Sequence, residues 1–209
     1  MIEARDLHFR YPAMEAFALR GINLKLAPGE SVAMMGPNGS GKSTLVRCLC
    51  GLLQPTSGTV TVHGTGRVGV VFQNPYHQIT SPTVEREIAF GLQNLRRPRE
   101  EISARVEGAL RDFGLSARRA FPPARLSAGE MQRLALASVL VLDPAFLILD
   151  EATSLLSPVS RNRLLDRVLG RDAADRMGIL LITQFRGEAA RAGRRLTLEQ
   201  GRIASEGMA

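Results

Sequence analysis

The chain is poor in several residue types, and each shortage narrows what it does. It has no tryptophan, two tyrosines and eight phenylalanines. Basic side chains interleaved with aromatic ones, the usual platform for single-stranded nucleic acid, are therefore missing. The two cysteines, Cys48 and Cys50, lie two apart. On a helix that spacing turns them to different faces, which argues against a disulfide or a metal pair and for two buried helix residues. No uncharged apolar run approaches the ~20 residues that cross a bilayer. The nearest, LALASVLVL at 134–142, stops at Asp143-Pro144. The N-terminus, MIEARDLHF, lacks the basic-then-apolar order of a secretion signal, so a cytosolic location is expected. Lysine is scarce as well. Of 27 basic side chains only Lys25 and Lys42 are lysines, and the net charge of +7 rests on arginines scattered along the chain. Charge so dispersed reads as compositional bias, and no nucleic acid is expected as partner.

What is present suits one soluble domain. A length of 209 residues with 44% hydrophobic content is enough for a sizeable core. Short alternating segments open the chain (2–11, 18–26, 30–35), with turn signals at Gly21 and Pro28-Gly29. A glycine loop follows and opens a helix, KSTLVRCLCGLL, expected to end near Gly51. Strands come next at TVTVHG and RVGVVFQ. From Ser81 to about Leu142 the pattern is helical: EEISARVEGALRDFGL puts Ile102, Val106, Ala109, Leu110 and Phe113 on one face, with Gly114 as a stop. Apolar strands return at AFLILD (145–150) and GILLIT (178–183), separated by a helix that begins at Pro158 and ends at Gly170. RLTLEQGRI reads as a closing hairpin. Buried strands alternating with helices predict an α/β fold: a P-loop core with a parallel sheet, an N-terminal antiparallel β-subdomain, and an inserted α-helical subdomain at about 81–142 within one domain spanning 1–209.

GPNGSGKS (36–43) fits the phosphate-binding pattern G-x-x-x-x-G-K-[ST] in its required setting, after a strand and before a helix. The loop Gly36, Pro37, Asn38, Gly39, Ser40 and Gly41 would turn backbone N–H groups toward phosphates. Lys42 would reach the β- and γ-phosphates, Ser43 would offer its hydroxyl to Mg²⁺, and Thr44 continues the cradle. ATP and Mg²⁺ are the expected cofactors. FLILDE supplies a second half: Asp150 ends an apolar strand and can hold Mg²⁺ through water. Glu151 follows and can accept a proton from an attacking water. Gln73, at the end of VGVVFQ, can reach the same metal and water. A third motif, LSAGEMQR (126–133), is at first sight only a capping box, with Ser127 and Glu130 at its two ends. Its geometry also exposes N–H groups at the positive end of a helix, at Ser127, Ala128, Gly129 and Glu130, which suits the terminal phosphate of a second nucleotide.

In this order and spacing, the P-loop, VFQNP, LSAGE and LILDEATS resemble the nucleotide-binding subunit of an ABC transporter over nearly the whole chain. The run RVGVVFQNPYHQITSPTVEREIAFGLQNL is similar to the energy-coupling-factor branch, which energises uptake of vitamins and of cobalt or nickel. The resemblance implies an ATPase that pairs head to tail, each ATP lying between one subunit's P-loop and the other's signature. It implies that Tyr11 stacks on adenine, that Gln73 senses the γ-phosphate and faces a transmembrane partner, and that the subunit sits on the cytoplasmic face of the membrane. A general ABC importer or exporter, or a soluble ABC-type ATPase acting on nucleic acid or the ribosome, is the alternative. The spacing of about eighty residues between P-loop and signature leaves no room for the long coiled coil of repair members.

Two departures from the family carry most weight. Ser157 stands in TSLLSP where an acid is usual; it caps a helix as well as Asp does, but the charge toward the facing subunit is lost. Gln184, in LLITQF, stands where a histidine contacts the γ-phosphate, and no histidine follows His77. Losing one such transition-state contact costs ~3 kcal/mol, about a hundredfold in rate. Slow hydrolysis at this chain's own site is expected, and with it a heterodimer with a paralogue in preference to a homodimer. Ala128 for Gly and Glu130 for Gln should weaken the signature without abolishing it. A regulatory module that binds nucleotide without hydrolysing it would also suit Ser157 and Gln184, but leaves Glu151 unexplained.

Overall fold

The computed structural model describes residues 1–64, 67–170 and 177–208, and they fall into two compact units. The first comprises Met1–Val70, Ala145–Glu151 and Arg163–Ala209; the second comprises Val71–Pro144 and Ala152–Asn162.

In the first unit, strands β1 (Ile2–Phe9), β2 (Leu19–Leu26) and β4 (Ser57–Val62) form an antiparallel sheet in the order β2-β1-β4. Along β1 the inward set is Ile2 and Ala4, then Leu7 and Phe9. That is a change of phase, and a strand's strict period of two cannot supply it. A bulge does. The register shifts between Ala4 and Leu7, Asp6 takes φ 45°, and its N–H is held by Asn23 Oδ1 at 2.9 Å.

Glu3 is buried on β1 at 3% exposure, facing Arg5 at 2.9 Å, Lys25 at 3.1 Å and His63 at 3.5 Å. The hydrogen bond from Arg5, supported by Lys25, holds its carboxyl down at about 2 against the pull of burial. A carboxyl depressed by folding contributes stability that is complete above its unfolded pKa, about 4.3, and is lost as pH falls toward the folded value. Thermal melts of the chain should therefore lose stability between about pH 4.3 and 2, and Glu3→Gln should flatten that slope. An unchanged slope in the variant would place the acid sensitivity elsewhere.

The second sheet runs β5 (Val68–Val71), β6 (Phe146–Asp150), β7 (Gly178–Ile182), β3 (Ser31–Met35), β8 (Arg194–Glu199), β9 (Arg202–Met208). Strands β6, β7, β3 and β8 are parallel neighbours, whereas β9 returns antiparallel. Every residue of β6 and β7 is buried, as expected for inner parallel strands covered on both faces. Strand β8 alternates instead. Its hairpin with β9 turns on Gln200 and Gly201, both at positive φ (47° and 77°), the signature of a two-residue turn that follows the strand twist. Helix α1 spans Lys42–Leu49. Cys48 lies buried inside it, and burial pushes its thiol up to about 11. The expectation of two buried helix cysteines fails for Cys50, which caps α1 and is only half-buried. The cause is Gly51, whose φ of 75° ends the helix.

The second unit is built on helices α2 (Val84–Asn94), α3 (Arg99–Asp112) and α4 (Ala128–Leu140), all within 81–142. Thr83 caps α2, and the buried Glu87 accepts from the N–H groups of Thr80 and Ser81, fastening the loop that enters it. On α3, Val106, Ala109 and Leu110 are buried, Phe113 caps the helix from a buried position, and Ile102 is half-buried. Helix α5 (Pro158–Leu169) begins at its proline, and the four-residue α6 (Arg186–Ala189) follows β7.

Candidate active site

Strand β3 delivers the chain at Met35 to the loop 36–41, and α1 begins at Lys42. Two glycines of this loop are demanded by close neighbours. A Cβ on Gly36 would lie 2.1 Å from the carbonyl oxygen of Leu198, and one on Gly41 would lie 2.7 Å from that of Ala18. The β8–β9 hairpin also grips the loop directly, Gly201 N–H donating to the Ser40 carbonyl at 3.0 Å. Pro37, Asn38 and Gly39 are exposed, and nothing lies within 4 Å of a Cβ on Gly39, leaving room for a ligand there. The Ser40 hydroxyl is buried with no hydrogen-bond partner among the described residues, a capacity that a phosphate oxygen would fill. Lys42 folds back across the loop, its Nζ donating to the carbonyls of Gly36 and Pro37, both at 2.9 Å.

Tyr11 stands beside α1. Its hydroxyl is 3.1 Å from Thr44 Oγ1, and its ring meets Phe9 edge-on at 4.9 Å. From β6, Asp150 is buried beside Ser43. Burial raises its carboxyl above the ordinary range, while the Ser43 hydroxyl and the nearby Lys42 and Arg47 pull the other way. A carboxylate and a hydroxyl brought together in this way are the hard oxygen donors that suit Mg²⁺.

Glu151 leaves the strand at φ 52°, a conformation uncommon outside glycine. Its N–H donates to the Ile182 carbonyl at 3.0 Å, and its carboxylate accepts from Gln184 Nε2 at 2.9 Å. Gln184 is positioned in turn by the buried Thr183, whose hydroxyl donates to Glu188 and accepts from Phe185 N–H. The adjacency of β6 and β7 thus brings together two residues 33 apart in sequence.

The remaining candidates belong to the second unit. Gln73 is exposed ahead of the short 3₁₀ turn Pro75–His77, which Asn74 caps. At the start of α4, Ser127 and Glu130 form the full capping box: Ser127 Oγ accepts from Glu130 N–H, and Glu130 Oε2 accepts from Ser127 N–H at 2.9 Å. Ser127 and Ala128 are exposed, and Gly129 lies against the Leu155 carbonyl, its Cβ position 3.6 Å away. Ser157 accepts from Ser160 N–H, capping α5 as a serine can. One partner was not read from the sequence: Arg118, whose Nε donates to Glu130 Oε1 at 3.0 Å. No short motif joins positions twelve apart, so only its place in the helical unit reveals it.

The description ABC transporter belongs to the family whose model matches residues 19–154, well over half of the chain. The chain belongs to the ABC transporter family. This ABC protein is 40% identical to the energy-coupling factor transporter ATP-binding protein EcfA1 of Lactiplantibacillus plantarum, over 99% of this chain and 78% of that one. It is 41% identical to the cobalt import ATP-binding protein CbiO of Syntrophus aciditrophicus, over 97% of this chain and 76% of that one. Among solved structures, cbiO1 from Clostridium perfringens, part of the ABC transporter complex cbiONQ, matches with a TM-score of 0.83 at 31% identity, covering 99% and 88% of the two chains. The α/β P-loop fold and the ABC identity expected from the motifs both hold. No helix among the described residues is long and apolar enough to cross a membrane.

Proposed function

We propose that this ABC protein is the ATP-hydrolysing subunit of an energy-coupling-factor importer for a vitamin or a transition-metal ion, bound peripherally on the cytoplasmic face of its membrane. The supporting observation is that a glycine loop with Lys42, the Ser43–Asp150 pair and Glu151 coexists with roughly 40% identity to EcfA1 and CbiO over nearly the full chain. Residues 1–209 act as one nucleotide-binding domain, with 81–142 as its helical subdomain. Gly36 to Thr44 hold the ATP phosphates, Lys42 exchanging its two loop carbonyls for phosphate oxygens, and Tyr11 packs on the adenine. Ser43 and Asp150, with Gln73, would hold Mg²⁺, which when bound offsets the charge on the β- and γ-phosphates. Glu151 takes the proton of the attacking water, and Gln184 orients its carboxylate. Ser127, Ala128, Gly129 and Glu130 complete the ATP site of a facing subunit, and Ser157 lies at that seam. A paralogue fits better than a second copy, because Ser157 and Gln184 leave a homodimer with two altered sites.

A membrane subunit would dock on the second unit beyond Gln73. There Tyr76 and Phe90 are about half exposed, and a groove of about 500 Å³ is lined by Thr80, Ser81, Pro82, Arg86, Phe90 and Gln93. Affinity purification from membranes should recover a second ATPase chain and a polytopic subunit, and Phe90→Asp should release the polytopic subunit. Recovery of ribosomes or DNA in their place would defeat the proposal.

A further inference from the structure

The first turn of α4 carries a full negative charge at the place offered to a phosphate. Glu130 Oε2 accepts from both N–H and Oγ of Ser127, each at 2.9 Å, and Oε1 accepts from Arg118. These hydrogen bonds, that of the Ser127 backbone first, lower the Glu130 carboxyl to about 2, so it is ionised at any pH near neutral. An arriving phosphate meets this charge at a helix end where a single anion is already stabilised. It also finds the one hydroxyl proton of Ser127 donated to Glu130. The cation that answers Glu130 is Arg118, which is held from its other side by stacking over the Phe121 ring at 4.9 Å.

We propose that Arg118 is a positioning residue for the signature: by neutralising Glu130 and holding its carboxylate against Ser127, it leaves the first-turn amides of Ala128 and Gly129 able to receive the terminal phosphate of a nucleotide bound by the facing subunit. This rests on the composite-site reading above. Glu130 and Arg118 act as a pair that replaces the neutral glutamine usual at position 130. The pair also accounts for an anion being tolerated in a phosphate-binding turn.

The test is MgATP turnover by the full complex, copurified with its membrane subunit and partner ATPase. Arg118→Ala should lower kcat/KM about tenfold, with the deficit larger at low salt, where the uncovered Glu130 charge is least screened. Adding Glu130→Gln to Arg118→Ala should restore most of the loss, because the charge needing an answer is gone. A merely structural arginine predicts no such rescue. Wild-type behaviour of Arg118→Ala, or a double variant as impaired as the single, overturns the proposal. Should Arg118→Ala reduce the folded yield, Arg118→Met keeps the stem on Phe121 and enters the same comparison. Gly129→Asp tests the composite site by itself: full turnover there discards the signature reading, whereas loss there with an unaffected Arg118→Ala discards only the role of Arg118.

Discussion

Glu151→Gln is expected to lower MgATP turnover about a thousandfold while leaving ATP binding intact. The amide has the shape of the carboxylate, and its oxygen can still accept from Gln184 Nε2, now at 2.9 Å from Glu151 Oε2. The backbone is equally undisturbed, since the Glu151 N–H to Ile182 carbonyl bond does not involve the side chain. What disappears is the ability to take a proton from water as it attacks. Nothing else described at this end of β6 and β7 replaces it: Asp150 is buried against Ser43, and Gln184 cannot take up a proton. ATP would therefore bind and stay. Rapid filtration should show stoichiometric trinucleotide retained, and size-exclusion of the variant mixed with its partner ATPase in MgATP should show an accumulated dimer. Turnover within tenfold of the parent chain would remove Glu151 from the role of base.

The functional features that were legible in the sequence are those whose reasons are local. The P-loop spacing, the apolar run ending in Asp150-Glu151 and the Ser127–Glu130 box each act over a few residues, and a strand or helix period carries them into place. Other features are set by distant neighbours. Gly36 is required by a carbonyl at Leu198, on a hairpin the sequence places but cannot aim. The phase change in β1 depends on Asn23 holding Asp6 from the next strand. Arg118 is one of many scattered arginines until the folded helical unit sets it against Glu130. The neighbour of Gln184 is likewise set by the fold: its amide donates to Glu151, 33 residues away in sequence.

That last contact sets the sign of the second large effect. Gln184→His should raise turnover, by up to about a hundredfold if the missing transition-state contact is what limits the rate. In the present chain one of the two N–H groups of the Gln184 amide donates to Glu151, so the direction of the second is set by that bond and not by a phosphate. An imidazole at 184 would emerge from the same anchored turn, since Thr183 and its bonds to Glu188 and Phe185 N–H do not depend on the side chain at 184. It adds a donor that can also titrate. With an ordinary pKa near 6.5, the new histidine would give the pH–rate profile an inflection in that region that the glutamine cannot give. The inflection separates a working histidine from a loosened Glu151. A higher rate with the new inflection means that the parent site is slow by its chemistry, which is the condition under which a paralogue's intact site would carry the transport cycle. An unchanged rate means that the amide serves as well as imidazole and that asymmetry has to be sought at Ser157. A fall in rate means that Gln184 is the matched partner of Glu151, so that the bond between them, and not the absent histidine, sets the competence of this subunit.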